Sequence, residues 1–104
     1  MIYVDNGQYR YRRMIMCHML ADTLEELHRA AQALGMRREW FQPLSFPHYD
    51  LSKSTRRQAV ALGAIEIERR EVAELMRRLR TDPAFVAAWK AEVALLGQQP
   101  PTRS

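Results

Sequence analysis

The stretch Met14-Ile15-Met16-Cys17-His18-Met19-Leu20-Ala21 does most to limit what this chain can fold into, because only His18 interrupts its apolar character and it ends abruptly at Asp22. It is too short and too bare of caps for an independent helix, so it reads as a strand around Met14–Leu20. A helix must start immediately afterwards. In Asp22-Thr23-Leu24-Glu25-Glu26, either Asp22 or Thr23 can accept a bond from a free backbone N–H while a glutamate reaches back. Leu24, Leu27, Ala31 and Leu34 then share one face at helical spacing, and Gly35 supplies a left-handed stop.

The same alternation recurs along the chain. Met1-Ile2-Tyr3-Val4 reads as an opening strand, Asn6-Gly7 as a hairpin turn leading to a short second strand, and Glu39-Trp40-Phe41-Gln42 as a short strand closed by Pro43. A loop holding Pro43 and Pro47 follows. Ser52 or Ser54 starts a helix that carries Ala59, Val60 and Leu62 and stops at Gly63, and Ala64-Ile65-Glu66-Ile67 alternates as a strand. Arg69 to Arg80 reads as a third helix with Val72, Leu75, Met76 and Leu79 inward. Asp82 and Pro83 open a fourth, over Pro83–Leu96, which Gly97 ends and which folds back on the third. The expectation is a single α/β domain over residues 1–97: a small mixed sheet of three to five strands with helices packed on it and a C-terminal helical hairpin. Residues 83–96 form a helical extension and 98–104 a flexible tail.

A chain of 104 residues buries about two thirds of its unfolded surface, so neither a disulfide nor a structural metal is needed to hold it. The lone Cys17 reads as a small buried apolar group. No apolar run approaches the roughly 20 residues that span a bilayer and no leader pattern opens the chain, which points to a cytoplasmic protein with no membrane partner. The net charge of +4 suits an anionic partner. That charge is weak evidence, because 14 of the 16 basic residues are Arg, a bias that a GC-rich genome produces unselected.

Site-like chemistry concentrates in Pro47-His48-Tyr49-Asp50-Leu51-Ser52 and the following Lys53, Arg56 and Arg57. An imidazole and a carboxylate beside the cationic start of a helix suit a phosphate or carboxylate ligand. The bland alternative is a capped helix whose Asp50 pairs with Arg56 or Arg57 and whose Tyr49 packs on the sheet. His18, Asp22 and Asp5 stand at the ends of the two apolar strands and converge beside His48 and Asp50 if those strands are neighbours. His and Asp are metal donors, but their spacing matches no recognised ligand pattern, so no metal and no cofactor is expected. His28 reads as a flank of its helix's packed face. Tyr9-Arg10-Tyr11-Arg12-Arg13 interleaves rings and cations in a way that suits nucleic acid, although alternation along a strand splits the five between two faces. The arginines of residues 69–80 have helical partners at Glu66 and Glu74, four residues before Arg70 and Arg78. Glycine-rich phosphate loops, nucleophile elbows and Cys pairs are absent from the sequence.

Taken together, Met1-Ile2-Tyr3-Val4-Asp5, the block from Cys17 to His28, Trp40-Phe41-Gln42, and Pro47-His48-Tyr49-Asp50-Leu51 with Arg56 and Gly63-Ala64 resemble an uncharacterised bacterial and phage family, domain of unknown function 4031. The resemblance covers about residues 1–74 and implies no activity. It singles out the same stretch as a site, departs at Lys53 and Thr55, and leaves the helix after Pro83 as an addition. The leading expectation is a pocket that binds, with processing as a further option, a small phosphate-bearing, nucleotide-like ligand. His48 and Asp50 are the catalytic candidates, His48 as general acid or base and Asp50 as its orienting group. Asp5, His18, Asp22, Tyr49 and Arg56 are the ligand-binding candidates, with Arg56 facing negative charge. Whether the protein is an enzyme is left open. Two alternatives belong to other classes: a nucleic-acid-binding domain using the Arg/Tyr-rich surface, and a protein-interaction or oligomerisation module in which Phe85 and Trp89 meet a partner or a second copy.

Overall fold

The computed structural model describes residues 1–7, 9–11 and 14–98. Its centre is β3 (Met14–Ala21), the apolar stretch with which the sequence reading began. On one side β3 pairs antiparallel with β1 (Ile2–Asp5) through Val4↔Met19 and with β2 (Tyr9–Tyr11) through Tyr9↔Met16. On the other side it pairs antiparallel with β4 (Tyr49–Ser52) through Cys17↔Leu51 and His18↔Asp50. The edge strand β5 (Ile65–Ile67) runs parallel to β1. The five strands therefore occupy four positions in one mixed sheet, because β1 and β2 lie end to end against the same neighbour.

This end-to-end arrangement corrects the hairpin expected at Asn6-Gly7. Four residues separate Val4 from Tyr9, whereas only Cys17 and His18 separate their partners Met19 and Met16. The excess chain interrupts the ladder at Asp5 and re-aims its side chain, as bulges do beside sites.

Helices cover both faces. On the face carrying Val4, Cys17, Met19, Tyr49 and Leu51 lie α1 (Leu24–Ala33) and α2 (Lys53–Ala61). Thr23 caps α1 by accepting from the Glu26 N–H, and Ser52 caps α2 by accepting from the Thr55 N–H. Gly35 and Gly63 follow them at φ of 75° and 108°, values that a side chain resists. On the opposite face lies α3 (Arg69–Arg80), which is opened by a reciprocal Glu68/Glu71 capping box. It turns through Thr81 and Asp82 into α4 (Pro83–Gln98), whose first N–H groups bond to the Asp82 carboxylate. This is the expected helical hairpin, except that α4 continues through Gly97 rather than ending there. Among the described residues no helix is long and apolar enough to cross a membrane.

Two more local expectations fail. Glu39–Gln42 is not a strand: Arg38–Trp40 forms a single 3-10 turn, and only Gln42 bridges to His48. The loop expected after Pro43 instead gives way at Tyr49 to β4, where buried Tyr49 and Leu51 alternate with half-buried Asp50 and Ser52. Phe85 and Trp89, expected to offer a docking surface, are turned inward. Phe85 stacks on Phe46, and the Trp89 indole donates to the Pro43 carbonyl at 2.6 Å. Residues 99–104, most of the expected tail, lie outside the described residues.

Candidate functional site

Strand alternation decides which candidate residues meet. His18 and Asp50 are direct cross-strand partners and share the α3 face of the sheet. Asp5 joins them through the break in the ladder. Its carboxylate takes the place of the missing backbone partner, accepting from the His18 N–H at 2.9 Å and from the ring Nδ1 at 2.7 Å. The Gly7 N–H also points at it. Burial pushes the Asp5 carboxyl up, but these donors outweigh it and hold the group below the usual carboxylate range. Conversely, the Asp5 bond raises the proton affinity of His18 against the opposing effect of burial. An ionised carboxylate only accepts, so the His18 Nδ1 carries the hydrogen and Nε2 is turned the other way.

His48 enters from the loop before β4. Its Nδ1 lies 2.5 Å from the Phe46 carbonyl, which again can only accept, so Nδ1 is the donor and Nε2 faces Asp50 Oδ1 at 3.2 Å. From the other side, His18 Nε2 lies 4.0 Å from the same oxygen. The two rings stand edge to face with centroids 5.0 Å apart. Gln42 donates to Asp50 Oδ2. Asp50 Oδ1 is shut off from solvent and has no hydrogen-bond partner among the described residues.

Both imidazoles and Asp5 line a cavity of about 490 Å³ between the sheet and α3. Its middle is apolar, from Leu20, Phe46, Val72 and Met76, and Arg69 and Arg80 border it. The arginines come from opposite ends of α3, about 16 Å apart along the axis. Arg80 lies over the Phe46 ring at 5.3 Å. Neither arginine was among the ligand-binding candidates in the sequence, although Arg69, Val72, Met76 and Arg80 recur at one-face helical spacing.

Three candidates fall elsewhere. Asp22 is four residues beyond His18, about 13 Å along the strand, where it accepts from the Tyr3 hydroxyl and from Arg78 at 2.8 Å. Tyr49 points to the opposite face of the sheet and meets His28 Nδ1 at 2.8 Å. Arg56, also behind the sheet on α2, donates to the Asp5 carbonyl at 2.9 Å and to Glu66 at 3.0 Å, tying α2 to β1 and β5. The expected pairs of Asp50 with Arg56 or Arg57, of Glu66 with Arg70 and of Glu74 with Arg78 are therefore not the contacts seen. Glu66 lies on a strand, where an offset of four carries no helical meaning. His48 and Asp50 do meet, at 3.2 Å through Nε2, while the Phe46 carbonyl takes the other ring nitrogen and the Asp5 carboxylate holds His18. Cys17 is buried against α2, with its thiol pushed up to about 11 by burial and by the nearby Asp5 charge, as befits a core residue. The side chains of Tyr9 to Arg13 lie outside the described residues.

A second histidine network lies outside the candidates visible in the sequence. Tyr49 Oη, His28, Glu92 and Arg38 form a chain behind the sheet, with His28 Nε2 3.0 Å from Glu92 and Arg38 bonding both Glu92 oxygens at 2.7 Å. Glu92 is 64 residues from His28, and nothing in local spacing pairs them.

A family model described as "Protein of unknown function (DUF4031)" matches residues 2–79. No curated protein and no solved structure matches the chain. The matched span contains Asp5, His18, Gln42, His48, Asp50 and Arg69, and stops just short of Arg80 and α4. With most of its length matched, the chain belongs to this family of proteins of unknown function.

Proposed function

We propose that the cavity under α3 binds a small phosphate-bearing ligand of nucleotide-like shape. The observation that carries this reading is one cavity of about 490 Å³ lined by two imidazoles, an apolar middle and two arginines. A pocket of several hundred cubic ångströms, largely apolar with a few convergent polar groups, suits a molecule with a flat apolar part and a charged end. Phosphate is the charged end that an arginine grips best, through paired N–H donors in a fixed plane. His18, whose proton affinity Asp5 raises, can donate to a ligand oxygen and return the proton, which is the chemistry a general acid or base needs. The helix start at Lys53 to Arg57 is a weaker place for the ligand, because Arg56 is already held by the Asp5 carbonyl and Glu66.

The test is a titration with nucleoside mono- and diphosphates and sugar phosphates, followed by amide chemical shifts. Shifts should cluster at His18, Phe46, His48 and Met76. Replacement of a charge-assisted bond in Arg80→Ala or Arg69→Ala should weaken binding about 10- to 100-fold, while Arg57→Ala should leave it unchanged. No binding by any of these ligands, or shifts confined to residues 53–57, would exclude the reading.

A further inference from the structure

We infer that His18 Nε2, His48 Nε2 and Asp50 Oδ1 are the protein ligands of a divalent transition-metal ion, with zinc the best chemical fit, at the wall of the cavity described above. The inference deepens the proposed function, since it rests on that cavity being a site, and it adds the group that would meet the ligand's anionic end.

One donor atom from each of the three residues lies within 4.8 Å of the others. Zinc with nitrogen and oxygen ligands at 2.0–2.1 Å places neighbouring donors about 3.3 Å apart in a tetrahedron. His48 Nε2 and Asp50 Oδ1 are already 3.2 Å apart, and His18 Nε2 is 4.0 Å from the same oxygen.

Hydrogen-bond chemistry points the same way. Both Nδ1 atoms face groups that can only accept, the Asp5 carboxylate and the Phe46 carbonyl. Each ring therefore keeps its hydrogen on Nδ1, and in the neutral tautomer Nε2 is an acceptor. Those nitrogens face Asp50 Oδ1, itself an acceptor that is shut off from solvent and has no hydrogen-bond partner among the described residues. Acceptors turned toward one another repel unless a cation lies among them. One divalent ion gives the buried Asp50 Oδ1 the partner it lacks among the described residues.

The outer groups complete the pattern. A ligating histidine ordinarily donates its other N–H to a carboxylate or a backbone carbonyl, and this site has one of each. Two imidazoles and a carboxylate favour zinc or another first-row ion over magnesium or calcium, which prefer all-oxygen shells. Three protein ligands leave a coordination position for water or for a ligand oxygen. With the ion bound, His18 and His48 would be ligands rather than proton carriers, and the ion would meet the phosphate in addition to the arginine.

Calorimetric titration of the full, tag-free chain with Zn²⁺ after chelator treatment should show one equivalent bound. Asp50→Asn and His48→Ala should each weaken binding by more than about 100-fold, and Asp5→Asn, one shell out, by about 10- to 100-fold. Asp22→Asn, at the far end of β3, should leave it unchanged. Should the ligand variants fail to fold, ¹⁵N spectra of the unaltered protein give the answer: Zn²⁺ should move the Nε2 resonances of His18 and His48 and leave those of His28 in place. Absence of stoichiometric binding, equal binding by folded Asp50→Asn, or unmoved His18 and His48 resonances would overturn the inference. Repeating the phosphate titration with and without chelator separates the two claims. Phosphate binding without zinc binding removes the metal alone, and zinc binding without any phosphate ligand removes the proposed function alone.

Discussion

Two histidine networks lie on opposite faces of the same sheet, and they differ in how completely they are satisfied. Behind the sheet, Tyr49, His28, Glu92 and Arg38 form a chain in which His28 has a partner on each ring nitrogen and both Glu92 oxygens accept from Arg38. In front of it, Asp5, His18, His48 and Asp50 lie at similar distances, yet the chain of donors stops at Asp50 Oδ1. The first network joins α1, β4 and α4 and needs nothing more. The second lines a cavity and leaves a buried acceptor over. A complete network contributes rigidity, whereas an incomplete one costs folding free energy that selection tolerates where the leftover group has work to do. Both are rich in titratable groups, so the count of such groups does not separate structure from function. The unmatched atom is where the two differ.

The sharpest way to break this comparison is to remove each network's histidine or acid and measure stability. His28→Ala should cost about 2–4 kcal/mol, through the loss of partners for Tyr49 and Glu92 and of a ring that packs on Phe41. Urea denaturation checks it, and a cost below that of an ordinary surface substitution would demote the rear network.

A smaller effect separates the networks by pH. Burial, then the Arg38 charge, holds the His28 pKa below its usual value against the pull of Glu92. The unfolded chain therefore binds more protons than the folded one between the depressed value and about 6.5. Stability from neutral His28 is complete above that unfolded value and falls as pH drops through the window. Urea midpoints should decline on acidification in this range, and the decline should be shallower in His28→Gln. An unchanged slope in that variant would place the acid sensitivity elsewhere.

The smallest change is expected in front. Asp50→Asn removes a charged acceptor and offers an N–H to His48 Nε2 while still accepting from Gln42. Stability should therefore stay within about 0.5 kcal/mol of the parent or rise. A loss as large as that of His28→Ala would make the front cluster a structural network after all.

How far the sequence could carry these conclusions depends on the range of the physics involved. Helix boundaries are set mostly by nearby atoms, so Gly35, Gly63 and Pro83 marked them and the caps fell on Thr23 and Ser52, one of the two options at each start, although Gly97 did not stop α4. The Asn6-Gly7 hairpin failed because a turn preference says nothing about the two-residue slip between β1 and β2 that only their shared neighbour defines. β4 escaped because its alternation lasts four residues and its polar positions looked like loop chemistry. Within the site, His18, His48, Asp50 and Asp5 were visible as residue types but not as a group distinct from Tyr49 and Arg56. Which of them share a face follows from pairing register, and a shift of one residue exchanges the faces. Phe46 contributes a carbonyl, and a backbone atom leaves no mark in residue identity.

The break in the β1–β2 ribbon has a practical consequence for anyone studying this protein in solution. At Asp5 one carboxylate holds both the His18 amide and the His18 ring. A reporter is thereby built into the backbone, because the exchange rate and chemical shift of a single amide hydrogen register the charge and position of Asp5. Whatever settles against the imidazole in the cavity should be audible at that one resonance, without a label or a substitution.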